Sequence, residues 1–159
     1  MVPFAGYSMP VLYSNQTHIQ SHLWTRQHAG LFDVSHMLQS KLAGSDAINF
    51  LHKVTPTDFS VLPAGQGSLS VLLLPKTGGV VDDTIVTKET DSQFYIVTNA
   101  GCIDQDVKFF TEQLETSGLK DVSWKPIEGK SLLALQGPTA HHVFKKLLKS
   151  TPEDVDSLY

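Results

Sequence analysis

The sequence has little cysteine, little arginine and no long hydrophobic run. Its 159 residues include one cysteine, Cys102, which excludes an internal disulfide and a cysteine metal cluster. Arginine also occurs once, at Arg26, and the lysines are scattered along a chain of net charge −4, which argues against nucleic-acid binding. The longest apolar run, Val71 to Leu74, is far shorter than the ~20 residues that span a bilayer. We therefore expect no nucleic-acid partner and no membrane partner.

The residues that are present predict an ordinary globular protein with an α+β fold. At 41% hydrophobic and 18% charged residues, the chain can form one full core, or one domain and part of another. Apolar spacing and capping residues predict four helices, and β-branched runs between turn residues predict six strands. Because hairpin-length links join the central strands, we expect a largely antiparallel sheet with flanking helices rather than a doubly wound fold. The helices are expected at about 16–28, capped by Asn15 or Thr17; at 47–54, capped by Ser45, with Ala47, Phe50, Leu51 and Val54 at helical spacing; at 104–116, burying Val107, Phe110 and Leu114; and at 137–150. The strands are expected at about 37–43, 68–74, 80–87, 94–98, 122–125 and 131–136.

The most informative stretch is the β-branched run after Gly78-Gly79, because it contains the adjacent carboxylates Asp82 and Asp83. A strand alternates faces at each residue, so Asp83 shares a face with Val81 and Ile85, and Asp82 lies on the opposite face. A carboxylate on an apolar face costs several kcal/mol unless it is paired or neutralised. The pattern therefore predicts that Asp83 is functional. The alternative is a solvated edge strand whose charges block unwanted pairing.

Other polar residues suggest sites that the spacing supports poorly. His18 and His22 have a metal-ligand spacing on a predicted helix, but no third ligand follows, so we expect no metal site. Asp33, Ser35 and His36 contain the residue types of a hydrolase triad, yet they are adjacent in sequence and lack a nucleophile elbow. A structural turn, in which Asp33 or Ser35 bonds backbone amides, is the better interpretation.

What remains is a site with apolar walls, one carboxylate and one amide. Asn99 follows the predicted strand at 94–98, and Asp83 is on the neighbouring predicted strand. Apolar side chains can cover a flat ring while a few polar groups fix its orientation. This combination is suited to a heterocycle with ring nitrogens.

Five segments of the chain carry a family resemblance. They are Met1-Val2-Pro3-Phe4-Ala5-Gly6-Tyr7-Ser8-Met9-Pro10, Thr25-Arg26 leading into Leu31-Phe32-Asp33-Val34-Ser35-His36-Met37, the strand from Gly78 to Val86, Tyr95-Ile96-Val97-Thr98-Asn99-Ala100-Gly101, and Leu132-Leu133-Ala134-Leu135-Gln136-Gly137-Pro138. These segments resemble motifs of the aminomethyltransferase family, the T-protein of the glycine cleavage system. They occur in the family's order across nearly the whole chain, and several segments resemble fungal members.

The resemblance implies a transferase of glycine catabolism. Its members take the aminomethyl group from the lipoyl arm of H-protein, release ammonia and form 5,10-methylenetetrahydrofolate, so the implied partners are lipoylated H-protein and tetrahydrofolate, with no metal. The second acid of the Asp-Asp pair is the family's essential acid, which here is Asp83. The resemblance also implies that Met37, Leu69 and Val97 line the folate pocket, with Tyr95 and Asn99 as further candidates.

The resemblance also has implications for domains and location. Residues 1–159 match the N-terminal part of the family's folate-binding region, and we expect the rest of that region and a C-terminal barrel to be absent. The activity is therefore expected of a longer protein and not of these residues alone. The mitochondrial matrix is the implied compartment, although no transit peptide is visible.

Two alternatives remain from the same superfamily. One is a non-enzymatic folate-binding factor of iron–sulfur cluster assembly, whose Lys-Gly-Cys-Tyr-x-Gly-Gln-Glu motif is absent here. The other is the folate domain of a dimethylglycine or sarcosine dehydrogenase, which follows a flavin domain.

Overall fold

The computed structural model describes residues 1–148, which form nine strands, four helices and a short 3-10 helix. The described chain divides into two compact units, one made of residues 1–35 and 131–148, and one made of His36–Lys130. We call these unit one and unit two. The strands are β1 Val2–Phe4, β2 Tyr7–Met9, β3 Gly30–Asp33, β4 Leu38–Ala43, β5 Gly67–Leu73, β6 Val80–Thr90, β7 Gln93–Thr98, β8 Ser123–Pro126 and β9 Leu133–Gln136. The helices are α1 His18–Gln27, α2 Ala47–Val54, α3 Ile103–Thr116 and α4 Ala140–Leu147, with the 3-10 helix at Ala100–Cys102.

Unit two is built on a five-stranded sheet with the order β5-β6-β7-β4-β8, and every neighbouring pair is antiparallel. The predicted α+β class and antiparallel sheet are confirmed, and all six predicted strands are present. The sequence analysis missed β1, β2 and β3. These strands have three or four residues each and are largely exposed, so they carry no alternating apolar pattern to detect.

A tight turn between β5 and β6 sets the register that positions the acidic pair. Lys76 and Gly78 have φ values of 70° and 68°, in the left-handed region that glycine adopts freely. The Leu74 N–H donates to the Gly79 carbonyl at 2.8 Å, which closes the hairpin. Beyond this turn, Asp83 lies opposite Val71 and Asp82 opposite Leu72.

Helices α2 and α3 cover one face of this sheet. As predicted, α2 buries Ala47, Phe50, Leu51 and Val54. Helix α3 buries Phe110 as predicted, but it also buries Phe109 and Asp106, whereas Val107 and Leu114 are only partly buried. The indole of Trp124 stacks on Phe110 with centroids 4.8 Å apart. These residues meet the sheet side chains Leu42, Leu72, Val86, Phe94 and Ile96 in one apolar core.

The predicted helix caps are partly correct. Thr17 caps α1, as one of the two predicted candidates, and its side chain forms a capping box with Gln20. At α2 the predicted cap, Ser45, is wrong, because Asp46 occupies the N-cap position. The Ser45 hydroxyl instead donates to Asp121 at 2.6 Å. The predicted end of the fourth helix near residue 150 lies outside the described residues.

Candidate functional site

The acidic pair is divided between the two faces of the sheet. Alternation along β6 is confirmed, with Asp82 8% exposed on the core face beside Thr84 and Val86. Asp83 is exposed on the opposite face with Ile85. The expectation that Asp83 occupies the buried apolar face is therefore wrong, because α2 and α3 pack against the face of Asp82. The argument from the cost of burial applies to Asp82 and not to Asp83.

Next to Asp83, a row of side chains crosses the four strands β5, β6, β7 and β4. Leu69 pairs with Ile85, Ile85 pairs with Val97, and Val97 pairs with Gln39. Residues that pair across antiparallel strands lie on the same face, so this row shares the face of Asp83. Exposure falls along it from 69% at Leu69 and 49% at Ile85 to 8% at Val97 and 6% at Gln39. We call this face, with its row and Asp83, the open face.

Asn99 connects the two carboxylates at the end of β7. Its side-chain nitrogen donates to Asp82 Oδ1 at 2.9 Å and to Asp83 Oδ1 at 2.7 Å. Its backbone N–H donates to Asp82 Oδ2 at 3.0 Å. Two flanking carboxylates fix the amide orientation, since only the NH2 group can donate to them. Among the described residues, the Asn99 Oδ1 atom accepts no hydrogen bond, so it remains available as an acceptor beside Asp83.

The buried carboxylates around Asn99 titrate differently. Burial alone would raise the pKa of Asp82, but hydrogen bonds from the side chain and backbone of Asn99, together with the Asp106 carboxyl group and the Asp83 backbone, outweigh burial and hold this pKa below its ordinary value. Asp106 on α3 is fully buried, and burial raises its pKa to about 7, with the neighbouring Asp82 carboxylate adding to the effect. The site thus places an ionised carboxylate, Asp82, against a carboxyl group whose pKa lies near neutral pH.

Tyr95 and Met37 lie near the row but farther from the acidic pair. The Tyr95 hydroxyl donates to Gln39 Oε1 at 2.8 Å, and the Gln39 amide donates to the Lys130 carbonyl at 3.2 Å. Tyr95 precedes Asn99 by four residues, or about 13 Å along a strand. Met37 immediately precedes β4 and is half-buried. The structure therefore brings Leu69, Val97, Asn99 and Asp83 onto one face, with Tyr95 at its far end.

Three members of this arrangement, Ile85, Asp106 and Gln39, were not among the site residues predicted from the sequence. Ile85 stands at the centre of the row, although alternation had already placed it on the face of Asp83. Asp106 lies on the buried side of α3 near Phe109 and Phe110, so it is a carboxylate within an apolar stripe. The argument used for Asp83 would have singled it out. No sequence pattern indicated that Gln39 is buried, because its burial depends on the strands that flank β4 in the folded sheet.

The remaining sequence candidates have structural contacts. The Ser35 N–H donates to Asp33 Oδ1 at 3.0 Å, so the predicted structural turn is confirmed. The Leu132 N–H donates to the Ser35 hydroxyl oxygen at 2.9 Å. His18 Nε2 lies 2.6 Å from the Val11 carbonyl oxygen. Within residues 1–148, no group of three His, Cys, Asp or Glu side chains could hold a metal ion.

A cavity of about 730 Å³ lies in unit one, whereas the acidic pair belongs to unit two. Its lining includes His18, His22 and Arg26 and contains none of the predicted site residues. It also contains no carboxylate, so it lacks a general base of the kind that Asp83 offers on the open face. In the described part of the chain, no helix has the length and apolar character needed to cross a membrane.

Comparison with protein families places the chain among glycine cleavage proteins. The family model described as the GCVT N-terminal domain matches residues 1–158. The mitochondrial aminomethyltransferase of Saccharomyces cerevisiae is 63% identical over 157 residues, which cover 98% of this chain and 39% of that protein. The mitochondrial aminomethyltransferase of Pisum sativum is 45% identical over 161 residues, which cover the whole of this chain and 38% of that protein.

A solved structure has the same fold. The glycine cleavage system aminomethyltransferase T from Bartonella henselae superposes with a TM-score of 0.79 at 37% sequence identity. The match covers 91% of this chain and 38% of that protein. This chain therefore spans about two fifths of the length of the relatives it matches.

Proposed function

This chain belongs to the GCVT N-terminal domain family, and from that premise we propose that it supplies the folate-binding sheet of an aminomethyltransferase of the glycine cleavage system. The reaction transfers the one-carbon unit of the aminomethyl-lipoyl group to tetrahydrofolate and releases ammonia. The names of the curated relatives support this proposal over an iron–sulfur assembly factor or a dimethylglycine or sarcosine dehydrogenase.

The observation that carries the proposal is the pair of hydrogen bonds that the Asn99 side chain donates to Asp82 and Asp83 at the edge of the open face. Asp83 accepts one hydrogen bond, from Asn99 at 2.7 Å, and is otherwise accessible. The free carbonyl oxygen of Asn99 belongs to the same side chain. Two acceptors beside an apolar row are suited to a flat ligand that carries N–H donors.

The apolar row fits the ring of such a ligand. Leu69 and Ile85 are the exposed members, and Val97 is the more deeply placed one. Apolar side chains that remain exposed gain stability when a ring covers them, by about 25 cal/mol per Å² of buried apolar surface. The row thus provides contact area, and the two acceptors provide orientation.

In this proposal Asp83 positions the folate and manages its proton. The folate contributes the nitrogen nucleophile that accepts the one-carbon unit. Asp83 binds the N–H group of the nucleophile and accepts its proton as the first nitrogen–carbon bond forms and ammonia leaves the aminomethyl carbon. The carbon–sulfur bond then breaks as the second folate nitrogen closes the methylene bridge, which leaves the lipoyl arm as a free thiol. Asn99 holds the Asp83 carboxylate in place, and Val97 limits ring movement. Positioning and general-base assistance of this kind contribute typically 10²–10⁴-fold to a rate.

The partners and location follow from the same premise. We propose tetrahydrofolate as cosubstrate, without a metal, and lipoylated H-protein as the donor of the aminomethyl group. The curated relatives from yeast and pea are named mitochondrial, which supports mitochondria as the location, and the matrix is our finer proposal.

The test is Asp83→Asn in a full-length enzyme, made by placing this chain in the yeast relative in place of the matching segment. Asparagine keeps the size of the side chain and removes its charge and its capacity to accept a proton. We expect turnover with aminomethylated H-protein and tetrahydrofolate to fall by about 10²-fold or more.

The matched control is Glu89→Gln, which neutralises another acid on the same face of β6. Glu89 pairs with Lys41 and lies six residues from Asp83. Six residues correspond to about 20 Å along a strand, so this change should leave turnover within about threefold. Turnover within threefold for Asp83→Asn as well would refute the proposed role of Asp83.

A further inference from the structure

The strongest unexplained feature is the buried carboxyl group of Asp106. It is 0% exposed, and neither of its oxygens has a hydrogen-bond partner among the described residues. Its interacting polar neighbours are Thr98, whose hydroxyl is also unpartnered, and Asp82. Buried polar groups without partners are rare and costly. The fold therefore retains a costly group next to Asp82, the carboxylate to which Asn99 donates.

Protonation of Asp106 lowers the energetic cost of burying a carboxyl group that has no hydrogen-bond partner. Two ionised carboxylates cannot hydrogen-bond to each other, because both only accept. If Asp106 carries the proton, its O–H can donate to Asp82. The Thr98 hydroxyl favours the ionised form of Asp106, but burial outweighs it. Burial beside Asp82 favours that neutral form, as in other pairs of neighbouring carboxylates.

The charged groups around Asp106 also favour its neutral, protonated form. Asp82 lies beside it and Asp83 lies on the other face of β6, and both carboxylates raise the pKa of Asp106 further. Cys102 lies just before α3, and the pKa of its thiol is raised first by burial and then by the Asp82 and Asp106 carboxylates. No described Lys, Arg or His forms an ion pair with Asp106. Nothing described therefore compensates a second negative charge at this position.

We propose that Asp106 is a positioning residue of the candidate site: its protonated carboxyl group donates to Asp82, which fixes the Asn99 amide and, through it, the Asp83 carboxylate. The chain of contacts runs from α3 through β6 to the end of β7 and back to β6. Asp106 touches no ligand in this arrangement. The inference rests on the proposed function only where activity is concerned, because the geometry of Asn99 can be measured without any ligand.

The first experiment measures Asn99 directly, by following its side-chain amide signals in 1H–15N NMR spectra of this chain. We expect these signals to shift with a single titration that matches the carboxyl 13C titration of Asp106. Asp106→Asn should abolish that titration and keep the low-pH positions of the signals. Asp104→Asn, an exposed acid on the first turn of the same helix, should change neither. An Asn99 amide that does not respond to Asp106 would overturn the proposal whatever the site binds.

The second experiment measures activity in the full-length enzyme described above. Asp106→Ala removes the donor to Asp82, and we expect turnover to fall about tenfold or more, with a smaller change in KM for tetrahydrofolate. Asp106→Asn can still donate to Asp82, so it should restore most of that loss and flatten the high-pH limb of the turnover profile.

The outcomes separate the two proposals. If Asp106→Ala loses activity and Asp106→Asn does not restore it, a hydrogen-bond donor to Asp82 is not sufficient for activity. That result would overturn the positioning role. If Asp83→Asn leaves turnover unchanged while Asn99 still follows the titration of Asp106, the proposed function fails and the positioning network stands. If Asp106→Ala fails to fold, the Asn99 titration in the parent chain decides the question.

Discussion

The two units bury their apolar side chains to very different extents. In unit two the side chains of Phe50, Phe59, Phe94 and Phe110 are each 0% exposed. In unit one Ala140 is the single described hydrophobic residue that is buried, whereas Trp24 is 58% exposed and Leu31 65%. Burial of apolar surface is the main favourable contribution to folding. The stability of the described chain therefore resides mainly in unit two.

The candidate site is located in the better-packed unit. Leu69, Asp83, Val97, Asn99 and Asp106 all lie within His36–Lys130. A sheet held by a closed aromatic core keeps side chains on its other face at fixed separations, which a binding site requires. The comparison between the units thus predicts where stability and function coincide, and the following experiments test it.

The largest expected effect concerns excision of unit two. A chain of residues 36–130 should fold by itself and melt cooperatively, because it contains the whole core. Its ends are already connected, since the Ile127 N–H donates to the Gln39 carbonyl at 2.8 Å. We expect a free energy of unfolding of about 5 kcal/mol or more by chemical denaturation. A broad transition without a baseline would contradict the assignment of stability to this unit.

The next largest effect is the difference in unfolding free energy between one aromatic-to-alanine substitution in each unit. Phe110→Ala removes a fully buried ring that stacks on Trp124 at 4.8 Å, so it should cost about 3–5 kcal/mol of unfolding free energy. Phe32→Ala removes a ring that is 41% exposed in unit one and should cost about 1 kcal/mol or less. Urea titration of both variants, followed by far-UV circular dichroism, measures the difference. Equal losses of unfolding free energy in the two variants would contradict the conclusion that stability resides mainly in unit two.

Sequence reasoning predicted the antiparallel sheet well because strand alternation and turn residues are local signals. The burial of β6 shows where such reasoning fails. Alternation separates Asp82 from Asp83, but the face that is buried depends on where α2 and α3 pack. Those helices reach the sheet through long-range contacts that a local pattern does not contain.

The candidate site was predicted unevenly for the same reason. The resemblance identified Asp83, Leu69, Val97 and Asn99, and the structure brings them onto one face. Asp106 was overlooked, although its place among the apolar residues of α3 was visible. Its interaction with Asp82 could not be predicted, because the fold brings together two residues that are 24 positions apart in sequence.

A smaller effect is expected from pH, through Asp106. Its pKa is about 7 in the folded chain and near 3.8 in the unfolded chain, so the folded state binds more protons between these values. Stability should therefore fall as pH rises from about 4 to about 7, by roughly 2–4 kcal/mol in total. The lowered pKa of Asp82 acts in the opposite direction, and only below about pH 4.

Asp106→Asn isolates this contribution, because the amide does not titrate. Its unfolding free energy should be nearly constant between pH 4 and 7 relative to that of the parent chain. Asp104→Asn, which changes an exposed acid on the same helix, should keep the slope of the parent. Guanidinium titrations at four pH values measure the slopes, and parallel curves for the parent and Asp106→Asn would show that Asp106 is ionised throughout.

The smallest expected effect on stability belongs to the residue with the largest expected effect on activity. Asp83→Asn changes an exposed side chain that accepts one hydrogen bond, so the free energy of unfolding should stay within about 0.5 kcal/mol. Asp82→Asn puts an NH2 group in place of one of the two oxygens that accept from the side-chain and backbone N–H groups of Asn99, at a position that is 8% exposed. Two donors that face each other in a buried site leave both unsatisfied, which should cost about 1–3 kcal/mol. Thermal and urea unfolding of the two variants in parallel decides the matter. If Asp83→Asn were the more destabilising change, the open face would be part of the core, and the inactivity of that variant could no longer be attributed to chemistry.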